Sequence, residues 1–208
     1  MSRITKRAFL AAGLTAAVFP TRGIGQIMGP GPDQILHDPD QPVLGNPNGD
    51  VTIVEYFDYQ CPYCRRDHPA LLKLVEADGG IRLLMKDWPV FGPPSQRATK
   101  MALGSVRLGT YPEAHEAMMA LKGRRLSDRD FDAALGKAGI DPKDALASFE
   151  ADADLWMGLL SRNDMQVGAL GIRGTPAYII GRDLFAGAFP LAELRLAVER
   201  TRVEAGNR

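Results

Sequence analysis

Cysteine and histidine are scarce in this chain, which has two cysteines and three histidines among its 208 residues. Two cysteines form at most one intramolecular disulfide, which excludes the disulfide framework of a small secreted scaffold. A structural zinc site usually takes four ligands, and Cys61, Cys64 and His68 would supply only three on one helical face. The other histidines, His37 and His115, are distant in sequence. We therefore predict no metal site.

The chain also lacks an excess of charge and a long apolar run. It has 25 basic and 25 acidic residues, and without the four basic residues in positions 1–25 it would have 21 and 25, a net charge of −4. A mildly acidic chain without a basic block offers no surface for nucleic acid or anionic lipid. No segment reaches the roughly 20 apolar residues that a membrane span requires. We expect no nucleic-acid partner and no membrane span in the mature chain.

The first 25 residues have the pattern of a cleaved secretory signal peptide. Arg3, Lys6 and Arg7 precede an apolar stretch at residues 8–19, and Pro20 follows it. This stretch is too short to cross a bilayer. We expect export to the periplasm, or secretion otherwise. The pattern leaves open the cleavage site and the choice between the general secretory and twin-arginine routes.

What the chain does have is a single CxxC motif, Cys61-Pro62-Tyr63-Cys64, directly after an apolar run at residues 51–57 that is typical of a buried strand. The apolar spacing after the motif is typical of an amphipathic helix, so the cysteines are predicted in its first turn. Unpaired backbone N–H groups and the helix dipole favour a thiolate there, and Pro62 suits a position that needs no N–H. This order predicts a thiol-disulfide oxidoreductase. A purely structural disulfide is the weaker interpretation, because so short a loop removes little unfolded-state entropy.

The rest of the sequence predicts one α/β domain that is interrupted by helices. Strand patterns at residues 51–57 and 81–86 and a hairpin pattern around Gly181 indicate the sheet. Ser127 and Asp141 look like helix caps in the middle of the chain. The predicted divisions are a signal peptide at 1–25, an irregular leader at 26–49, the α/β domain at 50–92 and 171–205, and an inserted helical subdomain at 93–170.

Two segments resemble the signatures of DsbA-type periplasmic thiol-disulfide oxidoreductases: EYFDYQCPYC at residues 55–64 and GIRGTPA at residues 171–177. The resemblance covers roughly residues 38–204 and includes the order of CxxC, helical insertion, Thr-Pro, hairpin and closing helix. It implies the α/β class, with a thioredoxin-like fold and an inserted all-helical subdomain. It also implies that the bond between Thr175 and Pro176 is cis, and that this pair lies against the cysteines and binds an extended substrate.

The resemblance further implies a role for each residue near the cysteines. A substrate thiolate would attack the exposed sulfur of Cys61, and Cys64 would be the more buried resolving thiol. Glu55 would relay a proton to or from Cys64, although a glutamate at a strand edge that reaches solvent is the open alternative. Pro62 and Tyr63 would tune the redox potential. The best-known members have a histidine in place of Tyr63, and since tyrosine brings no cation we expect a less acidic Cys61 and a somewhat less oxidising couple.

Three functions stay open at this point. The first is an oxidase that forms disulfides in unfolded or reduced exported proteins and is reoxidised by a quinone-linked membrane partner. The second is an isomerase or reductase that a membrane electron donor keeps reduced, as in branches linked to copper tolerance. The third is a module that binds a metal or peptide without turnover. The short leader is rich in Pro and Gly and does not suit an oligomerising helix, which favours the oxidase. We expect no cofactor other than the redox-active disulfide.

Overall fold

The computed structural model describes residues 31–207. The predicted signal peptide at 1–25 lies outside the described residues. No helix within the described part of the chain combines the length and the apolarity that a membrane crossing requires.

The centre of the molecule is a five-stranded mixed sheet with the order β1-β3-β2-β4-β5. Strand β2 is parallel to β3, whereas the pairs β1–β3, β2–β4 and β4–β5 are antiparallel. The predicted strands and the hairpin are therefore present. The bounds are Val43–Gly45 for β1, Val51–Phe57 for β2, Ile81–Asp87 for β3, Ala177–Ile180 for β4 and Asp183–Ala186 for β5.

Eight helices are described, and they cover both faces of the sheet. Helices α2 and α8 pack on one face, which receives Ile53 and Leu83, while α1 and α7 pack on the other, which receives Val54 and Leu84. Burial on both faces explains why consecutive residues are apolar at 53–54 in β2 and at 83–85 in β3. The bounds are Pro32–Leu36 (α1), Pro62–Asp78 (α2), Pro93–Arg107 (α3), Tyr111–Met119 (α4), Asp128–Lys137 (α5), Pro142–Ala151 (α6), Ala153–Leu170 (α7) and Leu191–Gly206 (α8).

The prediction of an irregular leader at 26–49 is wrong where the structure describes that segment. Residues 32–36 form helix α1, and residues 43–45 form strand β1 on the edge of the sheet beside β3. The connection between α1 and β1 is held in place by ion pairs from the guanidinium of Arg162 to the carboxylates of Asp38 and Asp40. The many Pro, Gly, Asp and Asn residues of the segment concealed two elements that are too short to show a periodic pattern.

The helical insertion lies between β3 and β4, and it confirms the expected fold class. Both predicted caps are present: Ser127 precedes α5, and the carboxylate of Asp141 accepts a hydrogen bond from the N–H of Lys143 at 2.8 Å. Helices α3 and α6 come into close contact at Gly104. A Cβ atom at Gly104 would lie 1.8 Å from the carbonyl oxygen of Ala145, so only glycine fits between these two backbones.

This close contact gives a test of the insertion. Gly104→Ala is expected to lower the free energy of unfolding by about 2 kcal/mol or more, because the added methyl group forces α3 and α6 apart. Gly168→Ala in α7 is the matched control, since a Cβ there meets no atom within 4 Å. The control should raise the free energy of unfolding by about 0.5–1 kcal/mol. Denaturant unfolding that gives the same stability for both variants would contradict the close packing.

Candidate active site

The cysteine pair lies where β2 ends and α2 begins. Cys61 is the N-cap residue of α2, its backbone is extended (φ −65°, ψ 115°), and Pro62 is the first helical residue. The Cys61 N–H donates to the carbonyl of Asp58 at 3.0 Å, and the N–H of Cys64 donates to the Cys61 sulfur at 3.4 Å. The Cys61 sulfur therefore occupies the position of a helix-capping oxygen, where an orphan N–H and the helix dipole favour negative charge.

The segment before β4 completes the site from a point 114 residues further along the chain. The Cys61 thiol is 3.2 Å from the carbonyl oxygen of Thr175 and donates to it when protonated. The peptide bond between Thr175 and Pro176 is cis. The Thr175 hydroxyl is buried and has no hydrogen-bond partner among the described residues. The structure thus brings the two sequence signatures together around one sulfur atom.

Both sulfurs are buried, which corrects the expectation that Cys61 is exposed. Cys61 has 1% of its surface accessible and Cys64 has 0%, and both are free thiols. The reason is the Thr175 segment, which sequence reasoning placed near the cysteines but not over them. The exposed residues of the motif are Pro62 and Tyr63, and Tyr63 has 54% of its surface accessible.

Glu55 lies on the face of β2 that is covered by α2 and α8. It is fully buried, so it is not a strand-edge glutamate that reaches solvent. Its register partner in β4 is Tyr178, whose hydroxyl donates to Oε1 at 3.5 Å, while Oε2 has no partner. Burial, and secondarily the negative charge of Cys61, raise the pKa of Glu55 to about 8. Glu55 is therefore mainly protonated at neutral pH.

Two residues that the sequence analysis did not identify, Asp58 and Arg65, hold neighbouring segments against the site by hydrogen bonds. The carboxylate of Asp58 accepts hydrogen bonds from the N–H groups of Val90 and Phe91 at 2.7 and 3.1 Å, so it fixes the loop after β3 beside the cysteines. The guanidinium of buried Arg65 donates to the carbonyls of Leu121 and Gly123 and fixes the end of α4 to α2. Both residues stand within four positions of a cysteine in sequence, but their partners are far along the chain.

A pair of buried histidines is the other unforeseen feature. The ring centroids of His68 and His115 are 4.8 Å apart, and Nδ1 of His115 is 2.8 Å from the Tyr59 hydroxyl. Burial lowers the pKa of His68 to about 4 and that of His115 well below its usual value. Within residues 31–207, no three Cys, His, Asp or Glu side chains are grouped so that they could hold a metal ion.

Comparison with known proteins identifies the family to which this geometry belongs. The family model described as thioredoxin matches residues 37–200, which is most of the chain. The chain belongs to the thioredoxin family.

Solved structures narrow this assignment. A thioredoxin-like oxidoreductase from Silicibacter pomeroyi DSS-3 is 34% identical, with a TM-score of 0.78 over 83% of this chain and 98% of its own. The thiol-disulfide exchange protein alpha-DsbA2 from Wolbachia pipientis is also 34% identical, with a TM-score of 0.74 over 81% and 90%. A periplasmic thioredoxin-like protein from Salmonella enterica serovar Typhimurium is 29% identical, with a TM-score of 0.69 over 81% and 94%. This thioredoxin-family chain is a thiol-disulfide oxidoreductase of the DsbA type, as its sequence predicted.

The curated relatives are much longer than this thioredoxin-family chain. The Na(+)/H(+) antiporter NhaA 1 of Salinispora arenicola is 30% identical over 175 residues, which are 82% of this chain. NhaA 3 of Salinispora tropica is 33% identical over 86 residues, or 40% of this chain. The chain spans 26% and 13% of their respective lengths.

The two thiols of this thioredoxin-family site differ in pKa. Hydrogen bonding to the Cys64 thiol is the main cause that lowers the pKa of Cys61 to about 6, and the backbone N–H groups of Cys64 and Tyr63 add to it. Burial is the main cause that raises the pKa of Cys64 well above its usual value, and its hydrogen bond to Cys61 adds to this. The reduced site therefore carries one thiolate at neutral pH, on Cys61.

This separation predicts how the reduced protein titrates. The ultraviolet absorbance of the thiolate should rise with a midpoint near pH 6, whereas an ordinary cysteine has a pKa near 9. Cys64→Ala removes the main hydrogen-bond donor and should move the midpoint upward. Cys61→Ala should abolish the rise between pH 5 and pH 8, because Cys64 stays protonated there. A wild-type midpoint near 9 would rule out the lowered pKa of Cys61, and with it the difference in acidity between the two cysteines.

Proposed function

We propose that this protein is a disulfide oxidase that transfers its Cys61–Cys64 disulfide to reduced, exported proteins. The observation that supports this function is the position of the Cys61 sulfur at the start of α2, where it accepts a hydrogen bond from the N–H of Cys64 at 3.4 Å. A sulfur whose thiolate is stabilised in this way is a good leaving group, so the disulfide that contains it is a strong oxidant.

The first step of the proposed reaction opens the disulfide of the protein. A substrate thiolate attacks the Cys61 sulfur, a bond forms between the substrate and Cys61, and the bond to Cys64 breaks. The electron pair of that bond goes to Cys64, whose thiolate is strongly disfavoured by burial. Protonated Glu55 then supplies the proton that turns Cys64 into a thiol.

The second step releases the product. A second substrate thiolate attacks the substrate sulfur of the mixed disulfide, and a disulfide forms within the substrate. Cys61 leaves as a thiolate, which the hydrogen bonds of the first turn of α2 stabilise. The protein has then accepted two electrons, and the substrate has lost them.

Substrate binding is assigned in this proposal to the segment that covers Cys61. Thr175 and Pro176 precede the first residue of β4, and an extended peptide placed beside them can pair with the backbone at this edge of the site. Tyr63 is exposed, so it offers apolar contact next to the sulfur, and Val90 and Phe91 are also exposed. Pro62 and Tyr63 set the redox potential through the first turn of α2.

The proposed location is the periplasm, after removal of the signal peptide. The similarity to the periplasmic protein from Salmonella enterica supports this location, as does the pattern of residues 1–25. A quinone-linked membrane protein would reoxidise the cysteine pair. No cofactor other than the disulfide takes part in the proposed reaction.

The equilibrium of the cysteine pair in graded glutathione buffers tests the oxidase function. We expect the reduction potential of the cysteine pair to lie well above that of the cellular glutathione pool. Thiol trapping would then find the pair still reduced in buffers whose potential exceeds that of the pool. Cys64→Ser should accumulate a mixed disulfide through Cys61, whereas Cys61→Ser should neither accumulate one nor oxidise a reduced test protein. A low, thioredoxin-like potential would instead indicate a reductase, and a high potential in an oligomer would indicate an isomerase. Activity without Cys61 would refute thiol-disulfide exchange altogether.

Glu55→Gln tests the proton transfer to Cys64. Glutamine has nearly the same shape but no acidic proton, so opening of the disulfide by a substrate thiolate should be about tenfold slower or more at pH 7. The ratio of the wild-type rate to the variant rate should fall towards one as the pH rises through the pKa of Glu55, because wild-type Glu55 then loses its proton. Cys61 carries no charge in the disulfide, so this pKa should lie below the value of about 8 in the reduced protein. Glu76→Gln, on an exposed position of α2, is the control and should leave the rate unchanged. A rate ratio of one at every pH would remove Glu55 from the mechanism.

A further inference from the structure

A cavity lies against α2 and α8 on the side of the sheet that contains Glu55. It has a volume of about 360 Å³ and opens to solvent, and Arg66, Asp67, Tyr178 and residues 188–191 line part of it. We call it the α2–α8 cavity. A volume of this size holds several water molecules, and the side chains of Arg66 and Asp67 give them polar partners.

Tyr178 is the residue that joins this cavity to the buried carboxyl group. Tyr178 lines the cavity, and its hydroxyl is 3.5 Å from Oε1 of Glu55. Both side chains are buried, since Tyr178 is 2% exposed and Glu55 is 0% exposed. The register of β2 and β4 fixes this contact, since Glu55 and Tyr178 are direct antiparallel partners.

We propose that the Tyr178 hydroxyl conducts protons between Glu55 and water in the α2–α8 cavity. This inference rests on the proposed role of Glu55: once Glu55 has given its proton to Cys64, a path to solvent lets the carboxylate be reprotonated before the cysteine pair is reoxidised. Tyr178 does not touch the reacting sulfur atoms in this scheme. It acts through Glu55 and is a positioning and relay residue.

The relay is a concerted exchange. A cavity water gives a proton to the Tyr178 oxygen while the Tyr178 hydroxyl gives its own proton to the Glu55 carboxylate. The hydroxide that remains takes a proton from the buffer, and the tyrosine is neutral before and after. Burial raises the pKa of Tyr178, so an ionised tyrosine takes no part. The reverse exchange removes a proton from Glu55.

Other titratable groups face Glu55, but none of them offers an equivalent path. Cys61 and Cys64 take part in the chemistry itself, and Tyr111 of α4 is not among the residues that line the cavity. Asp67 stands at the cavity and is ion-paired with Arg66 at 2.6 Å. The groups that influence Glu55 electrostatically, or that Glu55 influences, are Cys61, Cys64 and Asp67 from α2, Tyr111 from α4 and Tyr178 from β4.

The test measures how fast Glu55 gains its proton. After a pH jump across pH 8 on the full reduced protein, the infrared band of the protonated carboxyl group reports this step, and Glu55→Gln identifies the band. Tyr178→Phe keeps the ring and removes the hydroxyl, so protonation should slow by about tenfold. Imidazole added as a small proton carrier should restore the rate. Tyr56→Phe, which removes a hydroxyl that is bonded to Gln166 on the opposite face of the sheet, should change nothing.

The molecule contains an internal control for this measurement. Asp87 is a second buried carboxyl group, burial raises its pKa to about 8, and its hydroxyl partner is Thr99 at 3.0 Å. Its band should relax at the same rate in wild type and in Tyr178→Phe. If Tyr178→Phe slows the protonation of Glu55 and Asp87 equally, or slows neither, the relay is refuted. A change in the titration midpoint of Glu55 without a change in its protonation rate also refutes the relay, because Tyr178 would then only set the pKa of Glu55.

A second variant tests the cavity without altering Tyr178. Ala70 lies on α2 and lines the cavity, so Ala70→Trp should fill the space, exclude water and slow protonation of Glu55. An unchanged rate in this variant would contradict a path through the cavity. The proposed function has its own readout, since oxidation of a test protein by Cys61→Ser would overturn it whatever the infrared result. If Glu55→Gln slows the opening of the disulfide but Tyr178→Phe leaves the protonation rate of Glu55 unchanged, the relay is overturned and the role of Glu55 stands.

Discussion

The hydrogen bond between the Cys61 sulfur and the N–H of Cys64 is the interaction on which the rest of the site depends. It exists because β2 ends at Phe57, the chain turns over Asp58, and α2 begins at Pro62 with Cys61 as its cap. The same placement sets the Cys64 thiol, the main cause of the lowered pKa of Cys61, beside the Cys61 sulfur. Burial is the main cause of the raised pKa of Cys64, so the two cysteines differ in acidity.

The sheet places two buried ionisable side chains on opposite faces. Glu55 on β2 faces the cysteines and has one long hydrogen bond, to Tyr178. Lys86 on β3 faces the other way, where its Nζ lies 3.4 Å from the side-chain oxygens of Gln41 and Asn163. Burial lowers the pKa of Lys86 to about 8. The pleat of the sheet separates the two groups, so Lys86 forms no ion pair with Glu55.

Local patterns in the sequence predicted the parts of the fold that are long or strongly periodic. The strand before the cysteines, the helix after them, the hairpin around Gly181 and the helical insertion all follow from apolar spacing and turn residues. Helix α1 and strand β1 could not be predicted in this way, because five and three residues are too few to show a period. Nor could the burial of Cys61 or the contact between His68 and His115, which depend on how distant segments pack. The pairing of Glu55 with Tyr178 depends on strand register, which alternation alone does not assign.

The site is assembled from two segments that are 114 residues apart. During synthesis the CxxC helix leaves the ribosome long before Thr175 does, and a contact of this sequence separation forms only after much of the chain has folded. A partly made chain therefore presents Cys61 without the carbonyl that covers it in the finished protein. The first turn of α2 is local to the cysteines, so the contacts that favour the Cys61 thiolate can form before the Thr175 contact that completes the site.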